Sequence, residues 1–382
     1  MTATAEGRRL VAAVERSEER TTTVDAFLGE LSAQVGKVVP FDGAMWFGVD
    51  PSTLLALTPS RVQNMDPALC WTFWHGEFNT SDALQFRDLA RQERPVGALR
   101  LATGGTPVRS ARYRDFLQPQ GYADEARVAF RTGPTTWAVA ALYRDKGRDP
   151  FTSNDLEVLL AASPAVGAAL RRFSIRASAP NASLLAPGVM LFGDGALLLS
   201  ANREAREWLS HLYGPNVDDK TWDGLLADCS HPERLQLYTP LQPLVSRARA
   251  VARGHDEGPV RVRLRDRGGR WVVLHASCLD EHDGDGPVVV VVEPAKSAEV
   301  APIIVEAYGL TPREREVVRG IATGLSTPEI AAELFLSAHT VRDYIKSVFE
   351  KVGVGSRGEL VAKLFAEHYA ETLHAGMVHA DA

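Results

Sequence analysis

The chain has 382 residues, 45% of them hydrophobic and 24% charged, with a formal net charge of −6 at pH 7. That length exceeds what one hydrophobic core usually supports, so two or three domains are expected, and the composition is that of a globular protein. The acidic balance excludes a broadly basic polyanion-binding surface, so any contact with nucleic acid has to be local and geometric.

In chain order, a helix is predicted over 24–38, where Phe27, Leu31 and Val35 recur every four residues. A strand at 44–49, a turn at Asp50-Pro51 and a short strand near 54–57 follow. Helices are expected near 66–78 and 82–91, and Ser110 is placed to cap a helix over 111–117. Two strands, near 127–131 and 137–144, lead to Thr152-Ser153-Asn154-Asp155, a capping box that opens a long helix through residue 170. Trp46, Trp71, Trp74 and Trp137 load this part with aromatic surface. They read either as the lining of a small-molecule pocket or as ordinary core.

Residues 176–183 are small and polar and read as a linker, with a second joint near 294–300. The expected domains are therefore 1–175, 184–296 and 304–375. The middle one opens with a strand at 188–192, the hairpin turn Gly193-Asp194-Gly195 and a strand at 196–200. Asn202 can cap a helix over 204–212. After a helical middle come strands at 260–265, 271–278 and 288–293, the first two joined by a Gly268-Gly269 turn.

Cys70, Cys229 and Cys278 stand far apart without a C-x-x-C pair, which argues against a zinc or disulfide framework and fits a reducing compartment. His211, His231, His255 and His275 form no ligand pair at helical spacing, so no metal or haem is expected. Cys229, beside Ser230 and His231, does not form a flavin-photosensor motif, and Cys70 reads as a buried thiol. No cofactor is predicted, and a small-molecule effector stays unidentified. Residues 1–10 lack the apolar run of a signal peptide, and the longest aliphatic run, 288–292, is too short for a bilayer. A cytoplasmic location without a membrane partner is expected.

The last fifth carries three helix starts in a row: Thr311-Pro312-Arg313-Glu314, Ser326-Thr327-Pro328-Glu329 and Ser356-Arg357-Gly358-Glu359. Each sets a hydroxyl at an N-cap and a carboxylate three residues on, so two orphan backbone N–H groups are satisfied reciprocally. They predict helices over 312–322 and 328–334 and a fourth beginning after Ser356. A third helix, about 338–352, starts after Ser337 and stops at Gly353. Val341, Ile345, Val348 and Val352 form its inward stripe, which Val317, Ile321, Ile330, Leu334, Leu360 and Leu364 can cover. Arg342, Asp343 and Lys346 then fall on another side, with Arg342 and Lys346 one turn apart. A helix of this kind, supported by a shorter one across a tight turn, has helix-turn-helix geometry for a major groove.

Leu310-Thr311-Pro312-Arg313-Glu314-Arg315-Glu316-Val317, Gly324-Leu325-Ser326, Glu329-Ile330-Ala331, Leu336-Ser337, His339-Thr340-Val341-Arg342 and the run from Lys351 to Arg357 together resemble the LuxR/FixJ-type DNA-binding domain across about residues 306–369. The resemblance implies that Arg342, Asp343 and Lys346 face base edges. It places Thr340, Tyr344 and Lys351 near the DNA backbone, with Ser337 opening the reading helix. Lys351 also reads as a charge complementing a helix C-terminus. The resemblance further implies dimer contacts on the fourth helix, where Leu360, Lys363 and Leu364 are candidates, although the two leucines read equally as core. This chain departs from the pattern at Asp343, where an apolar or amide residue is common, and at Tyr344, which replaces a frequent histidine.

Upstream, the helix, mixed strands and closing helix, with Phe41-Asp42, Asp50-Pro51-Ser52-Thr53 and Ser110-Ala111-Arg112-Tyr113, resemble a GAF-type sensory domain of actinobacterial LuxR-type regulators. The middle order of two strands, helices and three strands is similar to a PAS domain. The expected fold is thus multidomain: an α+β GAF-like domain, an α+β PAS-like domain and an all-α, four-helix LuxR-type helix-turn-helix domain. There is no receiver-domain order of acidic residues, no G-x-x-x-x-G-K-[ST] loop and no G-x-S-x-G elbow. Nor is a homoserine-lactone constellation recognisable. The expected function is a non-enzymatic, homodimeric, sequence-specific regulator of transcription that binds double-stranded DNA. The alternative is a protein-interaction or signal-sensing module whose head binds DNA weakly or not at all, for residues 306–369 carry eight Lys/Arg against nine Asp/Glu, a net of −1.

Overall fold

The computed structural model describes residues 5–175, 185–213, 240–279 and 286–366. The linker expected over 176–183, the Cys229–His231 stretch and everything beyond residue 366 lie outside the described residues. The chain forms two compact units, one drawn from residues 1–173 and 178–294 and the other from 295–382 with 174–177.

The first unit begins with α1 (Ala5–Arg20) and α2 (Val24–Val38). Helix α2 has the predicted span, and α1, although Leu10, Val14 and Ser17 are buried on it at helical spacing, was not foreseen. A five-stranded antiparallel sheet follows, made of β1 (Gly43–Val49), β2 (Ala56–Gln63), β3 (Val96–Ala98), β4 (Tyr122–Thr132) and β5 (Thr135–Asp145) in the order β2-β1-β5-β4-β3. The predicted strand near 54–57 is β2, later and longer, and it takes Pro59 at a sheet edge, where a missing N–H is tolerated. Strand β3 was missed; three residues carry too little pattern to read.

Strand β1 is buried along its whole length because both sheet faces are covered. One face carries Met45, Phe47, Val49, Val139, Ala141 and Tyr143, packed with Phe73, Trp74 and Phe78 of α3 (Cys70–Asn79). The helix predicted over 82–91 is only α4 (Phe86–Leu89), and a further turn, α5 (Leu99–Ala102), follows β3. Helix α6 (Ser153–Ile175) meets α2 through Phe27 and Phe173, whose rings are 5.4 Å apart. It also holds β4 by the Ser163 hydroxyl, which accepts from Arg131 N at 3.0 Å and donates to Ala129 O at 3.2 Å. Gly167 allows this approach, since a Cβ there would lie 2.8 Å from the Arg131 carbonyl carbon. At 23 residues α6 is long and apolar enough to cross a bilayer by length and composition, but half of that stretch is buried, which is the pattern of a core helix.

The second sheet repeats the first in strand order: β6 (Gly188–Phe192), β7 (Leu198–Ala201), β8 (Arg261–Arg265), β9 (Trp271–Cys278) and β10 (Val288–Pro294) lie as β7-β6-β10-β9-β8, all antiparallel. Helix α7 (Arg203–Tyr213) begins as predicted, with Asn202 Oδ1 accepting from Ala205 N at 2.9 Å. Helix α8 (Leu241–Ala252) is buried at every position from 241 to 250. Leu241, Leu244, Val245 and Ala248 join the sheet core, while Ser246 donates its hydroxyl to Trp74 O on α3 at 2.9 Å and receives Asn79 Nδ2 at 3.1 Å. A helix buried all round lies between two layers.

The sheets are joined by a fully buried ion pair. Arg263 on β8 donates through Nε and Nη2 to the two oxygens of Asp50, at 2.9 and 2.7 Å, and its backbone N–H adds a third bond at 3.0 Å. Arg247 of α8 reaches Thr53 O at 2.5 Å. The boundary expected at residue 184 therefore divides the sequence but not the core, since one apolar cluster runs from Met45 to Val292.

The second unit is helical: α9 (Ser297–Ala307), α10 (Pro312–Ala322), α11 (Thr327–Glu333), α12 (Ala338–Val352) and α13 (Arg357–Val361), the last running into a wide turn at Ala362–Ala366. The joint expected near 294–300 is occupied by α9, whose Val300, Ile303, Ile304 and Ala307 are buried. Their spacing is that of a helix, obscured in the sequence by Pro302.

Candidate nucleic-acid interface

Helix α12 is fixed at both ends by its own sequence. Ser337 caps it, accepting from Thr340 N at 3.0 Å and lying 2.9 Å from the Thr340 hydroxyl. Gly353 ends it in the left-handed region at φ 69°, ψ 51°. Val341, Val348 and Val352 are buried and Ile345 half-buried, so the expected stripe faces inward. Val317, Ile321, Ile330, Leu360 and Leu364 complete this core. Gly320 lets α10 and α11 close together, for a Cβ there would meet Ile330 Cγ1 at 2.7 Å. Between α11 and α12, Phe335 turns the chain at φ 55° and is 95% exposed.

Glu314 orients α12 and does more than the capping box requires. It accepts from Thr311 N at 2.6 Å, from the Ser347 hydroxyl at 2.7 Å and from Lys351 Nζ at 2.6 and 2.8 Å. Burial alone would raise its pKa, but Lys351, Ser347 and Thr311 together pull it down to about 2. One carboxylate thus joins the start of α10 to the second half of α12. Sequence reasoning found only its cap role, because the partners lie 33 and 37 residues away. Arg357 adds a second tie, donating to Leu325 O at 2.7 Å and Thr327 Oγ1 at 2.8 Å.

Five of the head's eight cations are engaged internally. Arg313 pairs with Glu316, Arg315 with Glu306 and Lys351 with Glu314. Lys363 donates to Val352 O at 2.7 Å, satisfying an orphan carbonyl at the end of α12. Arg342 and Lys346 on α12, and Arg319 on α10, are exposed and, among the described residues, have no hydrogen-bond or ion-pair partner. Asp343, beside the two on α12, is exposed, and among the described residues its ion-pair neighbour is His339, with Nε2 3.9 Å away. Thr340 and Tyr344 are half-buried at the edge of this surface.

Four further expected residues make contacts within the head itself. Lys351, read as a backbone-contacting cation, has its ammonium held by Glu314. Leu360 and Leu364, read as dimer contacts or core, are each 1% exposed within their own unit and so are core; Lys363 is turned onto α12. A buried leucine has no surface left to offer a partner.

The four tryptophans do not line one cavity. Trp46 alternates with Phe47 along β1, so it takes the face opposite α3 and stacks on Phe130 at 6.1 Å. Trp74 packs on Phe47 at 5.1 Å on the other face. Trp137 is buried on β5, and Trp71 is half-buried with its ring 5.5 Å from His75. What the sequence reading missed lies against Phe73 and Phe86. Arg127, fully buried, is held by Glu125 at 2.8 Å and Glu77 at 2.7 Å, and Arg112 also pairs with Glu125 at 2.7 Å. Burial raises the Glu125 pKa, but Arg112 and Arg127 outweigh it, so the carboxyl stays below its ordinary value. The available signal was the charged residues Asp124, Glu125 and Arg127 clustered in the stretch of β4 that is buried.

Comparison with known proteins bears on the helical unit. Residues 309–364 match the family of bacterial regulatory proteins, luxR family. The probable HTH-type transcriptional regulator GfsR of Streptomyces halstedii is 40% identical over 68 residues, 18% of this chain and 28% of that one. The probable transcriptional regulatory protein NarL of Mycobacterium tuberculosis is 43% identical over 68 residues, 18% and 29% respectively. This chain thus spans less than a third of the length of those two regulators. The spore germination protein GerE of Bacillus subtilis is 46% identical over 55 residues, 14% of this chain and 74% of its own length. Among solved structures, the phage VqmA-DPO complex superposes with a TM-score of 0.24 at 17% identity, over 48% of this chain and 82% of that one. With capped helices, a buried stripe and a cationic outer face all inside the matched residues, the chain belongs, through its C-terminal unit, to the luxR family of bacterial regulatory proteins.

Proposed function

We propose that the protein is a homodimeric, cytoplasmic regulator of transcription that inserts α12 into the major groove and reads bases with Arg342, Asp343 and Lys346. One observation carries this reading: five of the head's eight cations are engaged internally, whereas among the described residues Arg342 and Lys346, one turn apart on the exposed side of α12, have no partner, a state shared only by the lone Arg319 on α10. The local charge of −1 then ceases to be an obstacle, because most acids of the head are engaged by caps and ion pairs rather than opposed to DNA. Two heads on matched half-sites supply the affinity that one weakly charged head lacks.

The sheet unit acts as the sensor in this proposal, with its first half GAF-like and its second PAS-like; the repeated strand order, 2-1-5-4-3 within each half, supports that reading. An effector or partner acts by binding one state of the dimer more tightly than another, the only way a ligand shifts such an equilibrium. Gel-shift titration of the full-length protein on DNA upstream of its own and neighbouring genes tests the proposal. A shifted band that weakens steeply with salt and is lost with Arg342→Ala is expected. No shift with any fragment, with or without host-cell extract, favours the protein-interaction alternative.

A further inference from the structure

We propose that Asp343 is a specificity-determining residue that commits the head to one cytosine in each half-site; this rests on the DNA-binding reading and deepens it. Asp343 follows Arg342 and precedes Lys346 by one turn of α12, on the side away from the buried valines. Its side chain is 68% exposed, and its one close polar neighbour is His339, 83% exposed and 3.9 Å away. Among the described residues no Lys or Arg holds this carboxylate, in contrast to Glu314, Glu316 and Glu306, which are each paired with a cation.

An acid carried into a groove lined by phosphates is repelled unless a donor receives it. The major-groove edge offers two kinds of donor, the adenine N6 amine and the cytosine N4 amine. A carboxylate only accepts hydrogen bonds. Beside its amine adenine presents the N7 acceptor, which repels a carboxylate and suits an amide side chain. Cytosine presents no acceptor beside N4, so an aspartate at this position fits cytosine and opposes the other three bases. Guanine and thymine oxygens meet the carboxylate as like charges. Arg342 and Lys346, free on either side, have the complementary requirement for guanine O6 and N7. The side chain therefore selects mainly by rejection, at a base position flanked by those the two cations read.

The test is selection of duplexes from a randomised library with full-length wild type, Asp343→Asn and Asp343→Ala, followed by affinity measurement on single-base variants of the enriched site. The wild type is expected to enrich a site with one position that accepts cytosine alone, other bases there weakening binding about 5- to 150-fold. Asp343→Asn is expected to move that preference to adenine. Asp343→Ala is expected to abolish it while strengthening binding to unrelated DNA, as a repulsive charge leaves the groove. Identical sites from all three proteins would overturn the assignment while leaving DNA binding in place. If the wild type enriches no sequence, the DNA-binding reading falls and this assignment with it.

Discussion

Arginine does opposite work in the two units. In the sheet unit, Arg263 and Arg127 are sealed from water and each is matched by carboxylates, two-pronged from Asp50 in one case and from Glu77 and Glu125 in the other. In the helical unit, Arg342 and Lys346 are exposed and have no partner among the described residues, on a helix that its neighbours hold in place. A buried guanidinium must be neutralised where it stands, because desolvation of an unpaired charge costs several kcal/mol. An exposed one on a fixed element is available to an anion from outside. Stability and, in the proposed function, recognition are thus assigned to different cations, and substitution can separate them.

The largest effect is expected at the joint between the sheets. Arg263→Ala leaves Asp50 buried without a counter-charge and should lower the unfolding free energy by about 3–5 kcal/mol, read as a fall in the urea midpoint. Replacing both partners, Arg263→Met with Asp50→Leu, should restore most of the loss, since no charge is then stranded. A double variant as unstable as the single would mean that the pair's geometry, rather than its charge balance, holds the sheets together.

Next comes Glu314. Glu314→Gln removes the ion pair with Lys351 and should cost about 1–3 kcal/mol. Lys351→Ala should cost a similar amount and leave the salt dependence of DNA binding unchanged, because that ammonium is already engaged. The pH dependence has a definite sign. The folded-state pKa is depressed from 4.5 to about 2, so the contribution is complete above the unfolded value and disappears as pH falls from about 4.5 towards 2. Acid titrations of wild type and Glu314→Gln should converge through that window; parallel curves would remove Glu314 from the account.

Legibility in the sequence followed the range of the interactions. The caps at Asn202, Thr311, Ser326, Ser337 and Ser356 are contacts within three residues, and the helices they open are where the local pattern put them. The free side of α12 was equally readable, being the complement of a valine stripe. The Asp50–Arg263 pair spans 213 residues and the Arg127–Glu77 pair 50, and nothing local announces either. The same limit explains the tryptophans: alternation on β1 fixes that Trp46 and Phe47 oppose each other, but not which face α3 will cover. Helix α9 was lost to Pro302, which reads as a break although its neighbours keep helical period.

For the exposed cations the expected change is in binding rather than folding. Arg342→Ala should leave stability within about ±0.5 kcal/mol, because the side chain has no partner to lose, while weakening DNA binding by about 1–3 kcal/mol at one base position. Equal affinity for all single-base variants of the site, before and after the substitution, would show that Arg342 reads no base.

Lys346 gives the finest distinction. It lies one turn along α12 from Arg342, so its ammonium is expected at a neighbouring base edge. Lys346→Ala should then relax a second base position without altering the slope of log affinity against log salt. A contact to phosphate has the opposite signature: uniform weakening across sequences and a slope smaller by about one. Both measurements come from the same titrations, run at several salt concentrations on the site and its single-base variants. A drop in slope would move Lys346 to the DNA backbone and leave Arg342 and Asp343 as the base-reading pair.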